Sequence, residues 1–315
     1  MKVLFLDTVH PVLSERLSEH GMACIDASGT EPLEAVQAHP DVQGIVLRSR
    51  IRVDATLMDR LPDLKFICRS GAGLENIDVA SAQFRDIKVY NSPEGNRDAV
   101  GEHALGMLLS LLNLLREADR SMRDGHWDRE GHRGMELAGR TVGILGYGNM
   151  GSAFAGKLSG IGCKVMAFDP YRRDIDGDHN DTVRAVDLAT LQRETDVLSL
   201  HCNLTPETRG MVDRGFLGSF AKPIILINTA RGAIMRTADL LDALQTGQVI
   251  AAGLDVFERE TSSFETVANE GDPVWMRLMA HPRVQVSPHV AGWTEESYVK
   301  LSSTLADKVL ADFGR

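Results

Sequence analysis

Three polar side chains in the second half of this sequence stand where chemistry could be done, each in a turn just after a short apolar run. Arg231 lies in Ile227-Asn228-Thr229-Ala230-Arg231-Gly232, Glu260 follows Gly253-Leu254-Asp255-Val256-Phe257-Glu258-Arg259, and His289 sits in Val286-Ser287-Pro288-His289-Val290-Ala291-Gly292. In an open α/β sheet the carboxyl ends of the strands face the ligand crevice. An arginine, a glutamate and a histidine converging there suit the oxidation of a hydroxy acid. The arginine would bind a carboxylate and polarise the reacting oxygen. The histidine would exchange the hydroxyl proton, and the glutamate would orient the ring and stabilise imidazolium. Taken singly, each reads equally well as an ordinary polar residue, and spacing alone does not find the set.

A second kind of chemistry is written between Arg140 and Asp169. Val142 to Leu145 is a short apolar run that predicts a buried strand. Gly146, Gly148 and Gly151 follow as G-Y-G-N-M-G, with Asn149 and Met150 at the start of a helical pattern that Gly160 and Gly162 close. Lys164 to Phe168 predict the next strand, with Asp169 at its end. This is a strand–turn–helix–strand unit with a phosphate-binding turn, in which the helix N-terminus offers unpaired N–H groups and positive dipole to a pyrophosphate. Asp169 lies about 20 residues on, where a carboxylate can accept hydrogen bonds from a ribose 2′-OH. A Gly-rich turn alone is weak evidence, but strand, helix and acid agree here. Asp169 also favours NAD over NADP by repelling a 2′-phosphate, while Arg172 and Arg173 nearby pull the other way.

The elements that must position these residues alternate. Strands are expected at Val3–Leu6, Gly44–Leu47, Phe66–Cys68 and Ile87–Tyr90, with helices between, and again at Val197–Leu200, Ile224–Ile227 and Ala251–Val256. Alternation of apolar strands and helices predicts α/β architecture with parallel, doubly wound sheets, and 315 residues suffice for two domains. The stretch Asn91 to Asp98 reads as a polar hinge. Ala99 to Arg116 reads as a long apolar helix, too interrupted by Glu102, His103 and Asn113 to span a membrane, with His103 a structural histidine. Thr294 to Phe313 predicts an amphipathic helix that returns to the first domain.

Composition excludes several classes. A formal net charge of −10 argues against a general nucleic-acid binder. The arginines from Arg116 to Arg140 are interleaved with acids, as on a solvated face or a subunit contact. Four dispersed cysteines without a CxxC indicate a reducing compartment, and ten histidines without HExxH make a metal site unexpected. The apolar run of MKVLFLDT is too short for a signal peptide or a membrane span, so a soluble cytoplasmic protein is expected. Two loops of the first half follow strands. Gly71, Ala72 and Gly73, in RSGAGLENID, present successive N–H groups that would hold a carboxylate, or form an ordinary turn. Arg48 and Arg50, in LRSR, would bind a phosphate or carboxylate, or are two solvated charges.

With these residues in view, the sequence resembles the D-isomer-specific 2-hydroxyacid dehydrogenases over essentially its whole length, through GYGNMG with Asp169, INTARG, GLDVFERE, SPHVAG, RSGAGLENID and NSPEGN…EHALG. The resemblance implies Arg231, Glu260 and His289 as the catalytic set. It implies nicotinamide contacts from Asp255 and the backbone near Thr229, and a substrate-carboxylate anchor at Gly71 to Leu74. It also implies two Rossmann-like domains with an interdomain cleft: a substrate domain of residues 1–97 plus 291–315, flavodoxin-like, and a nucleotide domain of residues 98–290, through which members usually form homodimers. LRSR is similar to the phosphoglycerate dehydrogenases of the family, where such arginines meet substrate phosphate, and so implies D-3-phosphoglycerate as substrate, an oxidation serving serine biosynthesis. Other readings stay open: a glyoxylate or hydroxypyruvate reductase, or a non-catalytic NAD-sensing binding protein like the corepressors that resemble this family. The sequence departs from the family pattern at Thr261, at Met235-Arg236, in the longer segment Thr261 to Asp272, and at Trp293, where a bulky ring would narrow the substrate pocket.

Overall fold

Short β-branched and aliphatic runs, bounded by polar turns, form the strands of this protein. The computed structural model describes residues 1–172, 174–260 and 271–314, and these divide into two units. One consists of residues 1–97 with 293–314, the other of residues 98–260 with 271–292. Arg173, Thr261 and most of the long segment before Asp272 lie outside the described residues.

In the first unit, strands β1 (Lys2–Phe5), β2 (Ala23–Asp26), β3 (Gly44–Leu47), β4 (Phe66–Arg69) and β5 (Lys88–Asn91) form a parallel sheet in the order β2-β1-β3-β4-β5. Period-two alternation sends successive side chains to opposite faces. Leu4, Ile45, Leu47 and Ile67 pack on one side against Val36, Leu57, Met58 and Leu61. Val3, Phe5, Val46, Phe66 and Cys68 pack on the other against Leu13 and Leu17 of the helix Val12–Glu19 and Leu305, Ala306 and Val309 of the helix Glu295–Phe313. Arg16 pairs with Asp307 at 2.8 Å across these two helices, and Lys308 Nζ donates to Asn91 O at 2.9 Å. The last helix is therefore an integral layer of the first unit, started by a Thr294–Ser297 capping box.

In the second unit, strands β6 (Thr141–Leu145), β7 (Lys164–Phe168), β8 (Val183–Ala185), β9 (Val197–Leu200), β10 (Ile224–Asn228), β11 (Val249–Leu254) and β12 (Val284–Val286) form a parallel sheet in the order β12-β11-β10-β9-β6-β7-β8. Apart from β12 this is the doubly wound order of dinucleotide-binding folds, with its switch point between β6 and β9. Both sheets are the parallel α/β type that the alternation of elements predicts. The short strand β12 stands where a strand end is expected before the Ser287–His289 turn, and the short strand β8 is not read from the sequence.

The Asn91–Asp98 stretch is not a free-standing hinge. The helix begins at Pro93 and runs to Leu112, because proline is well suited to the first helical position. It also stops short of Arg116: Leu114 takes a left-handed backbone, φ 52°, and a second helix covers Leu115–Arg123. Among the described residues no helix is long and apolar enough to cross a membrane, and no group of three or more His, Cys, Asp or Glu could hold a metal ion. The four cysteines are free thiols, and burial pushes them all up, Cys202 to about 11.

Candidate active site

The fingerprint turn leaves β6 at Gly146, whose backbone takes φ +91°, and enters the helix Asn149–Leu158 with Gly148 as its N-cap. A Cβ at Gly151 would lie 2.2 Å from Gly146 O, so only glycine lets helix and turn approach this closely. Nothing lies within 4 Å of a Cβ position at Gly148, and the amides of Asn149, Met150 and Gly151, in the first turn, lack intrahelical acceptors. Open space, unpaired amides and helix dipole together fit a pyrophosphate. Tyr147 does something the motif does not announce. Its ring is fully buried, its hydroxyl donates to Asp178 Oδ2 at 3.0 Å, and its amide donates to Asp169 Oδ2 at 2.8 Å. The carboxyl group of Asp169 is further fixed by the Tyr171 amide on Oδ1 at 2.9 Å. Two amides thus lock the acid at the end of β7 with acceptor capacity left for ribose hydroxyls.

The hydrogen bonds of Arg172 go to groups other than this acid. Its Nε and Nη2 donate to the two oxygens of Asp174 at 2.6 and 3.0 Å, and its Nη1 to Tyr147 O at 3.3 Å. We therefore expect kcat/KM with NAD to exceed that with NADP, and Asp169→Ala to narrow the gap. Steady-state kinetics with both cofactors measure this, and an equal or higher value with NADP in the unmutated protein overturns it.

His201, at the end of β9 beneath the turn, supports it. Its amide donates to Leu145 O at 2.8 Å. Its Nε2 shares a hydrogen bond with Ser199 Oγ at 2.8 Å, and its ring packs on Phe154 at 5.3 Å. Burial pushes the imidazole down to about 3. Because the folded value lies below the unfolded one, its stabilisation is complete above about pH 6.5 and fades as pH falls toward the folded value. One such proton costs about 2 kcal/mol between roughly pH 7 and pH 5. Denaturant unfolding of His201→Gln should show a correspondingly shallower loss of stability over that range. Parallel losses in the two proteins would rule this out.

The presumed reacting groups converge through the backbone. Gly232, after Arg231, lies against the 257–260 turn so closely that a Cβ there would meet Phe257 O at 1.9 Å. Arg231 itself is extended, φ −142°, with Nη1 donating to Ala230 O at 2.7 Å, while Asn228 Nδ2 holds Arg231 O at 3.2 Å. Glu260 closes the neighbouring turn, accepting the Phe257 amide on Oε1 at 2.5 Å and His289 Nδ1 on Oε2 at 2.8 Å. His289 follows Pro288 in a left-handed backbone, φ 54°, a conformation uncommon outside glycine and held here by its amide donating to Asp255 O at 2.8 Å. Thr229 Oγ1 is buried without a hydrogen-bond partner, an open polar position beside Arg231 that a bound nicotinamide would satisfy.

Asp255 is turned inward to a degree the sequence does not reveal. It is fully buried, accepting Ser287 Oγ at 2.5 Å and the Val290 amide at 2.9 Å on Oδ1, and the Ala291 amide at 2.8 Å on Oδ2. Since the Ser287 proton goes to Asp255, His103 Nε2, 3.0 Å from Ser287 Oγ, must be the donor there. Asp255, Ser287 and His103 form a network that shapes the SPH turn, and at most one acceptor site of Asp255 remains for the nicotinamide contact.

In the first unit, Gly71 and Ala72 have their carbonyls pinned by the Ser92 amide at 2.9 Å and Asn91 Nδ2 at 2.6 Å. Among the described residues no acceptor meets the amides of Gly71, Ala72 and Gly73, an arrangement compatible with a carboxylate nest. The two arginines separate. Arg50 is engaged within the protein: its guanidinium donates to Leu6 O at 3.1 Å, Ser28 O at 2.5 Å and Thr30 O at 3.3 Å, tying three chain segments together. Sequence reasoning missed its partner Asp7, a buried acid just beyond β1. That carboxylate accepts the amides of Arg48 at 2.5 Å and Ser49 at 3.1 Å and so moulds the LRSR loop. An acid immediately after an apolar strand was the available signal.

A doubly wound nucleotide unit with a histidine–glutamate pair and an arginine at its strand ends defines an NAD-binding oxidoreductase. The chain belongs to the D-isomer-specific 2-hydroxyacid dehydrogenases: the model of their NAD-binding domain matches residues 105–291. It is 34% identical to hydroxypyruvate reductase of Thermotoga maritima over 281 residues, 89% of this chain and 88% of that protein. It is 32% identical to D-3-phosphoglycerate dehydrogenase of Archaeoglobus fulgidus over 314 residues, 98% of this chain but 57% of that protein. The chain thus spans about half the length of the phosphoglycerate dehydrogenases it matches. Among solved structures, D-lactate dehydrogenase from Aquifex aeolicus complexed with NAD and lactic acid superposes with a TM-score of 0.82 at 25% identity, covering 99% of this chain and 95% of that one.

Proposed function

We propose that this chain is an NAD-dependent dehydrogenase of D-3-phosphoglycerate, with Arg231, Glu260 and His289 as its catalytic residues. The observation that carries the catalytic assignment is the 2.8 Å contact of His289 Nδ1 with Glu260. With Nδ1–H donated to the carboxylate, Nε2 carries the lone pair that receives the hydroxyl proton. Arg231 holds the substrate carboxylate and the oxygen that becomes the carbonyl. NAD, when bound, supplies the hydride acceptor, held by the Gly146–Gly151 turn and Asp169. The amides of Gly71 to Gly73 and the guanidinium of Arg48 are assigned to the substrate's anionic groups.

A second reading, a hydroxypyruvate or glyoxylate reductase, is favoured by the Thermotoga maritima relative, which matches over nearly equal lengths. The deciding experiment is kcat/KM on 3-phosphoglycerate, glycerate, lactate, glyoxylate and hydroxypyruvate with both cofactors. Preference for hydroxypyruvate or glyoxylate selects the second reading, and NAD binding without turnover of any acid selects a sensing protein. The proposal includes a homodimer through the nucleotide unit. Leu115, Met122 and Trp127 leave apolar surface exposed on and just after the helix Leu115–Arg123, a candidate contact that light scattering on the protein would test. It also includes a cytoplasmic location, which the free thiols support.

A further inference from the structure

The strand order of the first, all-parallel sheet reverses between β1 and β3, and in open α/β sheets ligands bind outside the strand carboxyl ends at such a switch point. Arg48 is the first residue beyond β3, and Asp7 and His10 lie in the loop beyond β1. At this corner the Arg48 guanidinium lies over the indole of Trp293, Cζ to ring centroid 4.2 Å. Among the described residues no carboxylate stands within 4.0 Å of it and no acceptor takes its N–H groups. Asp7 is occupied by the loop amides and by Arg50 Nε at 3.7 Å. In a chain with more acidic than basic side chains, an arginine at a strand end without a carboxylate partner is available for an external anion.

Trp293 is itself set from behind. Its ring lies 6.2 Å from that of Tyr298, which meets His10 edge-on at 5.3 Å. It directly precedes Thr294, the N-cap of the helix Glu295–Phe313, so its backbone is anchored at a helix start. The indole nevertheless remains 53% exposed. Stacking on an aromatic face restrains a guanidinium to one plane and leaves its N–H edge outward, in the planar fork that matches phosphate or carboxylate oxygens.

We infer that Trp293 is a positioning residue that holds Arg48 as the receptor for the second anionic group of the substrate, the group distant from the reacting carbon. This deepens the phosphoglycerate reading and rests on it for the identity of the anion. The ring does not touch the anion. It reduces the freedom Arg48 must give up on binding, so its effect falls on KM for the doubly anionic substrate and not on kcat.

The experiment compares Arg48→Ala, Trp293→Leu, Trp293→Phe and Arg50→Gln on 3-phosphoglycerate and on D-glycerate, with circular dichroism as the check of folding. Arg48→Ala should lower the ratio of kcat/KM for the phosphorylated over the plain acid by about 10- to 100-fold. Trp293→Leu should lower the same ratio by a smaller factor through KM, and Trp293→Phe should restore most of it, because an aromatic face remains. Arg50→Gln should lower the unfolding midpoint and leave the ratio where it was. Equal losses on both acids, a Trp293→Leu effect confined to kcat, or a Trp293→Phe no better than Trp293→Leu overturns the inference. If the unmutated protein turns over another acid and not 3-phosphoglycerate, the substrate assignment fails separately. Inorganic phosphate is then the probe: competitive inhibition that weakens in Arg48→Ala and Trp293→Leu supports the subsite, and inhibition that is absent or indifferent to both rejects it.

Discussion

Replacing His289 with asparagine lowers kcat by about 10²–10⁴ while NAD binding stays close to that of the unmutated protein. Asparagine is the informative substitution because His289 holds φ 54°. Asparagine tolerates that left-handed backbone, whereas alanine adds strain of its own, so only the asparagine variant isolates the loss of the basic nitrogen. During oxidation the hydroxyl proton must leave as the hydride departs, and with Nδ1 committed to Glu260 at 2.8 Å the proposed acceptor is Nε2. Glu260→Gln removes the counter-charge of the imidazolium. The ring keeps its basic nitrogen but loses the partner that orients it. Glu260→Gln should therefore lower kcat, by a smaller factor than His289→Asn. A His289→Asn enzyme that keeps its kcat would mean that His103 or a water carries the proton.

Arg231→Leu should reduce kcat/KM by about 10²–10³, the range seen when a preorganised donor to a developing oxyanion is lost. Arg231→Lys should recover only part of it, since an ammonium offers a point charge where the guanidinium offers a planar fork. The backbone at Arg231 is extended and its carbonyl is held by Asn228 Nδ2, contacts that both variants keep, so neither is expected to disturb the strand end before it. Isothermal titration with NAD alone, beside the kinetics, separates roles. A loss confined to NAD affinity would move Arg231 out of the substrate site and into the cofactor's.

Much of this was legible because the signals are local. The Gly146–Gly151 turn, with a strand before it and Asp169 after, is a pattern in which each residue's requirement follows from the backbone. Apolar runs such as Gly44–Leu47 and Val197–Leu200 can hardly be anything but buried parallel strands. What escaped depends on contacts remote in sequence. Three residues of β8 are too few to set a period. Arg48 and Arg50 are indistinguishable as neighbours in LRSR, and only the carbonyls of Leu6, Ser28 and Thr30 on one, and Trp293 on the other, give them different work. The family pattern points to Asp255, yet its burial beneath the Ser287–Ala291 turn is visible only in three dimensions.

The helix Glu295–Phe313 covers one face of a sheet whose first strand begins at Lys2. On the ribosome the strand emerges well before the helix, with the whole nucleotide unit translated between them. The nucleotide unit has all its strands before that helix is translated, whereas Val3, Phe5, Val46 and Phe66 wait for Leu305 and Val309 to cover them. The domain started before the nucleotide unit is thus finished after it. During that interval the nascent polypeptide carries an uncovered apolar sheet face, the kind of surface that engages chaperones and favours aggregation when translation stalls.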